Sequence, residues 1–366
     1  MAKAKIPKSP EEITNSWLTG VLRRSGKLEN AVVVNHSIKP LEIQIGSANI
    51  VRIILEYDFQ EEGGQSSMIA KFVSIHKIPH AEKLEVFWDR EVNFYNHFGS
   101  NSGISIPQCL YAELDKQAGN YLLLLEDMSK CRVGDLFGKL EDVEIAIQNL
   151  ARFHAKWWNN KQLYKIPWGF FFTSESGKNE RLFKTFGDSL FHIKEIYGKK
   201  IPETFCSVAD WLQNIEISIF TEDSLTLVHG DYHPGNIFFQ SNNEGRFAVF
   251  DWAAIHNGCA GEDLGRIIFF GLTPEQCELN QDSLVELYHK TLLKNGAIEY
   301  SLDECWENIR RGLLYNVFIN TIGAARQTKE RIERLDDSAV KFHTDIYFGR
   351  LDGALRSLEV LELLPV

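Results

Sequence analysis

The chain has 366 residues, of which 44% are hydrophobic and 24% are charged, as is typical of a folded globular protein. The chain is longer than a typical domain built around a single hydrophobic core, so two lobes are expected. The net charge of −11 argues against an electrostatic surface for nucleic acid or for an anionic membrane, and neither partner is predicted. The sequence sets no expectation for the oligomeric state.

The cysteine pattern favours a reducing compartment, and the apolar segments give no sign of secretion or of a membrane span. Six cysteines are scattered without a CxxC pair, which favours buried free thiols over a disulfide or metal framework. The Lys-rich N-terminus lacks the apolar stretch of a signal peptide, and no segment approaches the roughly 20 apolar residues that span a bilayer. A cytoplasmic location is therefore expected.

The first 126 residues have the pattern of an antiparallel sheet with a crossing helix. Ser9, followed by Pro10 and Glu12, predicts the start of a first helix, which should end near Gly26. Turn residues separate runs of β-forming residues, and one further strand is expected before Gly119. The other predicted elements are strands at 38–45, 50–57, 67–73 and 121–125 and a helix at 80–98.

The sequence pattern of the remainder of the chain predicts mainly helices. The predicted elements are a helix at 141–158, strands at 225–229 and 247–251, and helices from 280 onward that break at Gly296 and at 329–337. The sequence therefore predicts an α+β fold with a small antiparallel-sheet lobe at 1–126, a hinge near residue 127, and a large, mainly helical lobe at 127–366.

The most unusual residues follow the two predicted strands of the larger lobe. The first strand runs into His-Gly-Asp, with Asn236 five residues after Asp231, and Asp251 ends the second strand. These residues can gather three oxygen ligands, a donor set that suits Mg²⁺ bridging nucleotide phosphates. Phosphoryl transfer needs a carboxylate for the attacking hydroxyl, oxygen ligands for a metal and a cation for phosphate.

A lysine and a glutamate in the smaller lobe are each anomalous alone. Lys71 stands in an otherwise apolar strand, where an unpaired ammonium group would be costly. Glu91 falls on the apolar face of the helix predicted at 80–98. A buried acid and a buried base explain each other, so we expect Lys71 and Glu91 to form an ion pair.

Lys71, Glu91, the sequence HGDYHPGN at 229–236 and Asp251 match, in order and approximate spacing, the protein-kinase-like fold. More specifically, the chain resembles the aminoglycoside phosphotransferase and choline kinase group. The features that carry this resemblance are the HGDxHxxN form, Asp-Trp-Ala at 251–253, and Leu-Leu-Glu-Asp-Met at 124–128. The helix containing 150–158 is similar to the ecdysteroid-kinase-like branch of that group. The resemblance covers residues 9–355.

The resemblance implies an ATP-dependent kinase with ATP and Mg²⁺ as cofactors and a small hydroxyl compound as substrate. Asp231 would be the catalytic base or orienting carboxylate, and Asn236 and Asp251 would hold Mg²⁺. Lys71, positioned by Glu91, would contact the α- and β-phosphates. The turn containing Gly46, Ser47 and Ala48 would cover the phosphates, and backbone groups of Glu126 and Met128 would bind adenine.

Two features favour a small molecule over a protein as the acceptor. Gly230 stands where many protein kinases carry an Arg that binds a phosphorylated activation loop. Only a short stretch separates Asp251 from Asp263, which leaves little room for a peptide-docking segment. His229 and Asp263 are expected to brace the catalytic loop. The residues predicted at the mouth of the substrate pocket are Trp252, His256, Glu262 and His233.

Two alternatives remain open from the sequence. The chain could bind a nucleotide without catalysing transfer, although the catalytic Asp and both metal ligands of an active kinase are present. Alternatively, His229, Asp231 and His233 could bind a catalytic metal in a metallohydrolase, although His256 lacks a motif that would support it as a further ligand.

Overall fold

The computed structural model describes residues 6–41, 48–74, 85–136, 138–166, 176–215, 225–241, 245–331 and 337–363. The chain divides into two compact units. The first comprises Met1–Arg132 with Gln240–Ala254, and the second comprises Val133–Phe239 with Ile255–Val366. The lobes predicted at 1–126 and 127–366 stay a prediction. The units differ from them because a short later segment joins the first unit.

A five-stranded antiparallel sheet is the framework of the first unit. Its strands are β1 (Val33–Pro40), β2 (Asn49–Tyr57), β3 (Ser67–Ser74), β4 (Cys109–Asp115) and β5 (Asn120–Glu126), in the spatial order β1-β2-β3-β5-β4. Every neighbouring pair is antiparallel, which confirms the predicted type of sheet. The first strand begins at Val33 rather than at 38, and residues 42–47 lie outside the described part of the chain.

The first helix starts later than the sequence suggested. Pro10–Glu12 forms a separate 3₁₀ turn, and Ser9 makes no side-chain cap. The helix α1 (Asn15–Arg24) is instead capped by Thr14, whose hydroxyl oxygen accepts the backbone N–H of Trp17 at 3.2 Å. The predicted start at Ser9 was wrong because extended backbone at residue 13 separates the turn from the helix. The predicted end was right, since α1 ends two residues before Gly26.

The alternation of side chains along β3 places Lys71 away from the main core of the first unit. Ala70 and Phe72 lie in an apolar cluster with α1, to which Leu122 and Leu124 of β5 also belong. Since successive residues of a strand point to opposite faces, Lys71 points to the other face of the sheet. This alternation positions the ammonium group for the site described below.

The segment 245–254 is fastened to the first unit by specific contacts. Arg246 donates from Nη1 to the Ser105 hydroxyl at 2.6 Å and from Nη2 to the Ile106 carbonyl at 3.0 Å. The helix α2 (Glu85–His97) contributes Phe94, whose ring stacks on Trp252 at a centroid distance of 3.9 Å. Residues 80–84, where this helix was predicted to begin, lie outside the described residues.

The second unit is mainly helical, as predicted. Its longer helices are α3 (Leu140–Trp157), α4 (Ser176–Tyr197), α5 (Glu203–Leu212), α6 (Ala260–Gly271), α7 (Pro274–Lys294) and α8 (Leu302–Arg331). Near the C-terminus follow α9 (Asp337–Phe342), a π-helical stretch at His343–Arg350 and α10 (Leu351–Ser357). The remaining strands among the described residues are β6 (Cys131–Val133), β7 (Leu225–Val228), β8 (Ile237–Gln240), β9 (Ala248–Val249) and β10 (His256–Cys259).

Two strands and two helices of the second unit fix the position of its candidate site residues. β7 and β10 pair antiparallel, with Val228 opposite His256. α6 is buried along its whole length and approaches α8 so closely that a Cβ at Gly261 or at Gly312 would collide with the backbone of the other helix. Glycine at these two positions therefore allows α8 side chains to reach α6. None of the helices in the described part of the chain is both long and apolar enough to span a membrane.

Candidate active site

In the first unit, Lys71 lies between two carboxylates. Its Nζ is 2.8 Å from Oε2 of Glu91 and 3.1 Å from Oδ1 of Asp251. Glu91 also accepts a hydrogen bond from the hydroxyl of Tyr121 at 2.7 Å, and its own side chain is only 1% exposed. The structure thus brings together three of the residues singled out in the sequence, and Tyr121 is an addition.

The charges around Lys71 keep its ammonium group protonated. Burial alone would lower the pKa of Lys71, but the negative charges of Asp251 and Glu91 outweigh that effect and raise the pKa above its ordinary value. Burial also acts to raise the pKa of the Tyr121 hydroxyl, and the charge of Glu91 adds to it. The tyrosine therefore stays a neutral hydrogen-bond donor, and Lys71 stays a cation available to a phosphate group.

Two positions of the candidate site have left-handed backbone. Gly230 has φ of +79°, which a residue with a side chain rarely adopts. The backbone conformation therefore favours glycine directly before Asp231. Asp251 has φ of +62°, a conformation that Asp and Asn tolerate better than most residues. Strained backbone of this kind concentrates at functional sites, which is consistent with a functional role for Asp251.

In the second unit, Asp231 and Asn236 lie on one loop and are hydrogen-bonded to each other. Nδ2 of Asn236 donates to the backbone carbonyl of Asp231 at 3.0 Å and to its Oδ2 at 3.2 Å. Pro234–Asn236 forms a 3₁₀ turn, and Nδ1 of His233 accepts the N–H of Gly235 at 3.1 Å. This turn fixes the spacing between the aspartate and the asparagine.

Asp263 and His229 hold the backbone of this loop. The fully buried carboxylate of Asp263 accepts the N–H of His229 at 2.6 Å and that of Gly230 at 2.9 Å. Nε2 of His154 lies 3.4 Å from the same carboxylate. Nδ1 of His229 accepts the N–H of Asp231 at 3.2 Å. The loop is therefore held through its main chain by Asp263 of α6 and by its own His229.

Arg266, which the sequence reasoning did not single out, binds the carboxylate of Asp231. Its Nε and Nη2 lie 2.8 and 2.6 Å from the same oxygen, Oδ1 of Asp231. Nε2 of His233 is 3.6 Å from that oxygen. The arginine lies three residues after Asp263 on α6, so both side chains emerge on one face of the helix and reach the same loop. A lone cation in the apolar run 264–270 was the available signal.

The arginine determines the electrostatics of Asp231. Burial acts to raise the pKa of this carboxyl group, but the charge of Arg266, with smaller contributions from His233 and His229, holds the pKa well below its ordinary value. The side chain remains 32% exposed, so it is open to contact. Asp231 is thus a permanently ionised hydrogen-bond acceptor and a weak base.

The predicted nucleotide-contact residues are only partly described. Gly46 and Ser47 lie outside the described residues, and Ala48 directly precedes β2. The backbone N–H of Glu126 donates to the carbonyl of Gln108 at 2.9 Å, and the carbonyl of Met128 accepts the N–H of Cys131 at 2.8 Å. These two groups are therefore already occupied by the protein itself.

Three of the four residues predicted at the substrate mouth are buried. Trp252, His256 and Glu262 are 0%, 1% and 5% exposed. Nε2 of His256 and Oε2 of Glu262 lie 2.9 Å apart, and the indole of Trp252 donates to the carbonyl of Val249 at 3.1 Å. These three side chains hold structure together and present almost no surface to a substrate, contrary to the prediction. His233, with 18% of its side chain exposed, is the accessible one.

The histidines of the loop at 229–236 are engaged with its backbone. Nδ1 of His229 and Nδ1 of His233 each accept a backbone N–H, as described above. Over the described ranges, no three His, Cys, Asp or Glu side chains are grouped so that they could hold a metal ion.

Residues 47–298, more than half of the chain, match the Ecdysteroid kinase-like family. The chain belongs to this family. The match includes every site residue discussed above except Gly46, and it also includes Arg266. It confirms the resemblance inferred from the HGDxHxxN sequence and its surroundings.

Solved structures show the same fold for this Ecdysteroid kinase-like chain. A choline kinase from Cryptosporidium parvum Iowa II has a TM-score of 0.57 at 11% identity, with 96% of this chain and 98% of that chain covered. Spectinomycin phosphotransferase APH(9)-Ia, solved with ADP and spectinomycin, has a TM-score of 0.53 at 12% identity and coverages of 95% and 99%. The choline kinase LicA from Streptococcus pneumoniae has a TM-score of 0.51 at 14% identity and coverages of 94% and 99%.

These likenesses establish the α+β, protein-kinase-like two-lobed fold that the sequence predicted. The comparison with curated proteins gives no match.

Proposed function

We propose that this protein transfers the γ-phosphoryl group of ATP to a hydroxyl group of a small molecule. The observation that carries the proposal is the placement of Asp231, an accessible carboxylate bound by Arg266 on a loop held through its backbone. Such a group accepts a hydrogen bond from an attacking hydroxyl and fixes its direction. Family membership supports the same reaction class.

The transfer step needs little covalent chemistry from the protein. The acceptor oxygen forms a bond to the γ-phosphorus, and the bond from that phosphorus to the bridging oxygen of ADP breaks, with the electron pair leaving on ADP. The hydroxyl proton moves to Asp231 or onward to the transferred phosphoryl group. Because the pKa of Asp231 is held low, we propose that it orients the hydroxyl and receives the proton late in the step.

Lys71 is proposed to bind the α- and β-phosphates. Its ammonium group is held between Glu91 and Asp251, with 15% of the side chain exposed. A phosphate oxygen can replace one carboxylate contact without leaving the ammonium group unpaired. Glu91, which also accepts a hydrogen bond from Tyr121, would keep the lysine in place during that exchange.

The donor set supports Asn236 and Asp251 as ligands of Mg²⁺. The amide nitrogen of Asn236 is directed to Asp231, which leaves its side-chain oxygen as the group for a cation. Asp251 supplies a carboxylate that is 20% exposed. Carboxylate and amide oxygens are ligands that Mg²⁺ accepts, and the ion would neutralise charge on the transferring phosphates.

Adenine contacts are proposed for the main chain at 126–128. Since the N–H of Glu126 and the carbonyl of Met128 are already hydrogen-bonded, the carbonyl of Glu126 and the N–H of Met128 are the groups assigned to the base.

A small acceptor is favoured because the chain between Asp251 and α6 is short and fully structured. It contains only the 3₁₀ turn Trp252–Ala254 and β10, and β10 is paired with β7. No peptide-docking segment is present in this described stretch. Gly230, with its left-handed backbone, also offers no guanidinium group to bind a phosphorylated loop.

The proposal is tested by measuring ADP release from Mg-ATP over a panel of hydroxylated compounds. We expect some compounds to stimulate ADP release by the wild-type protein. Asp231→Asn should lose at least 100-fold in that stimulated rate, roughly the loss seen when an oriented catalytic group is removed, while nucleotide affinity stays within about twofold. Nucleotide binding without stimulation by any hydroxyl compound would favour a silent nucleotide-binding protein, and full activity in Asp231→Asn would refute the assigned role.

A further inference from the structure

The carboxylate of Asp231 is held unequally at its two oxygens. Oδ1 receives two hydrogen bonds from Arg266, at 2.8 and 2.6 Å, and has Nε2 of His233 at 3.6 Å. Oδ2 receives one described hydrogen bond, from Asn236 at 3.2 Å. Since each carboxylate oxygen has about two acceptor positions, Oδ1 is filled and Oδ2 retains one.

Arg266 is itself fixed by α8. Its Nη1 donates to Oδ1 of Asn316 at 2.9 Å and to Oδ1 of Asn320 at 3.2 Å. Nδ2 of Asn316 donates in turn to the carbonyls of Glu262 and Gly312, which sets the direction of that amide. The guanidinium carbon lies 4.9 Å from the centroid of the Phe270 ring. The group is therefore anchored at its far end and covered on one face.

The second asparagine has an arrangement with an energetic cost. Asn320 is 1% exposed, and its Nδ2 has no hydrogen-bond partner among the described residues. Turning the amide over would point that nitrogen at the donor Nη1 of Arg266, so the observed orientation is the one that serves the arginine. A buried donor without a partner costs about 1–3 kcal/mol. Such a cost is consistent with a role in holding Arg266 rather than with general packing.

We propose that Arg266, anchored by Asn316 and Asn320, is a positioning residue that occupies Oδ1 of Asp231 and thereby presents Oδ2 to the acceptor hydroxyl. The inference rests on the proposed phosphotransfer and adds the atom that receives the hydroxyl. A guanidinium group can bind one oxygen through two N–H groups while keeping its anchors, whereas the ammonium group of a lysine is a single point. The identity of the residue as arginine therefore follows from its task.

The kinetic test compares Arg266→Lys and Arg266→Gln with Arg311→Gln. Arg311 also lies on a helix of the second unit, and its surface pair with Glu307 is outside the site. We expect both Arg266 variants to lose about 100-fold in kcat, because small misplacements of a reacting group have effects of that size. The KM for ATP and the nucleotide affinity should change less than about threefold, and Arg311→Gln should behave like the wild type. Arg266→Ala should recover activity with millimolar guanidinium but not with ethylammonium, a result that a merely structural role would not produce.

A second measurement does not depend on activity. Asp231 is labelled with a water-soluble carbodiimide and an amine, and the modified peptide is quantified by mass spectrometry. We expect slow labelling in the wild type and in Arg311→Gln, and labelling several-fold faster in Arg266→Gln. If the wild type phosphorylates no acceptor, the proposed function fails and the labelling still decides whether Arg266 shields the carboxylate. Equal labelling in all three proteins, or kcat within twofold of wild type in Arg266→Lys and Arg266→Gln, would overturn the inference.

Discussion

Each unit contains a largely buried cation bound to a carboxylate of the candidate site, and the two arrangements are built differently. Lys71 is a single ammonium group between two carboxylates, Glu91 and Asp251. Arg266 is a planar group that binds one carboxylate, Asp231, and is anchored by two asparagine side chains. The first arrangement has excess negative charge, and the second is neutral.

The difference shows what each pair is suited to do. An ammonium group with a surplus of carboxylates can exchange one of them for a phosphate oxygen, so the Lys71 pair suits ligand binding. A guanidinium group with fixed partners on both sides loses its anchors if it moves, so the Arg266 pair suits the maintenance of geometry. Substitutions in the two arrangements should therefore have different effects on stability, turnover and nucleotide affinity.

The largest effect is expected at Asp263. Its carboxylate binds the backbone of the loop that carries Asp231, and Arg266 binds the Asp231 side chain. Asp263→Ala leaves two buried N–H groups, those of His229 and Gly230, without their acceptor. We expect a loss of about 3–5 kcal/mol in the free energy of unfolding, as for a buried charged group whose partners are left alone. Urea unfolding measures it. Asp263→Asn should lose less of the free energy of unfolding, because its amide oxygen still accepts a hydrogen bond. A loss below about 1 kcal/mol in Asp263→Ala would contradict the role of Asp263 in holding the loop backbone.

The pKa of Asp263 leads us to expect that stability depends on pH. Burial acts to raise the pKa of Asp263, but His154, His229 and the backbone N–H of His229 outweigh burial and lower the pKa. A lowered pKa contributes stability above the unfolded value of about 3.9 and loses it as the pH falls through the folded value. The free energy of unfolding should therefore fall more steeply below pH ~4 in the wild type than in Asp263→Asn. Parallel curves would show that Asp263 does not carry this dependence.

The next effect is expected at Lys71. Lys71→Met removes the proposed phosphate contact and leaves Glu91 and Asp251 without their cation. We expect stimulated ADP release to fall by about 100–1,000-fold, the range for removal of one preorganised electrostatic group. Nucleotide affinity should fall as well, unlike in the Arg266 variants.

The matched control is Lys116→Met, whose pair with Asp89 is more exposed. It should leave both activity and nucleotide affinity unchanged. If Lys71→Met reduced turnover without weakening nucleotide binding, the two pairs would not differ in the way stated here.

The smallest effect is expected at Tyr121. Tyr121→Phe removes one hydrogen bond to the buried carboxylate of Glu91 and keeps the ring. The free energy of unfolding should fall by about 2 kcal/mol, as for a hydrogen bond to a charged group, and nucleotide affinity should change little. Thermal and urea unfolding would measure the first and calorimetry the second. A large loss of affinity would show that Glu91 depends on Tyr121 for its position.

The two pairs also differ in how far the sequence could reveal them. Lys71 and Glu91 were each out of place in an apolar element, and strand and helix periodicity alone suggested the pair. Arg266 was equally out of place in an apolar run. Its partner Asp231 already had an expected role, so there was no reason in the sequence to look for a cation that binds it. Its anchors lie about 50 residues further on, and they reach α6 only because Gly261 and Gly312 let the two helices approach closely.

The burial of the residues that follow Asp251 could not be predicted either. Trp252, His256 and Glu262 follow Asp251 closely, which suggested the mouth of a pocket. Their burial depends on Phe94 from α2 and on a His–Glu pair formed where β10 meets α6. Those contacts are long-range or depend on a turn, and sequence proximity does not report them.

The proposed function requires that Asp231 direct a hydroxyl group of a small molecule at the γ-phosphate of ATP. Mass spectrometry of the acceptor after incubation with Mg-ATP tests this most directly. We expect the wild-type protein to give an acceptor carrying one added phosphoryl group, formed in equal amount with ADP, and Asp231→Asn to give almost none. ADP formed without any phosphorylated acceptor, or the same product formed at the wild-type rate by Asp231→Asn, would contradict it.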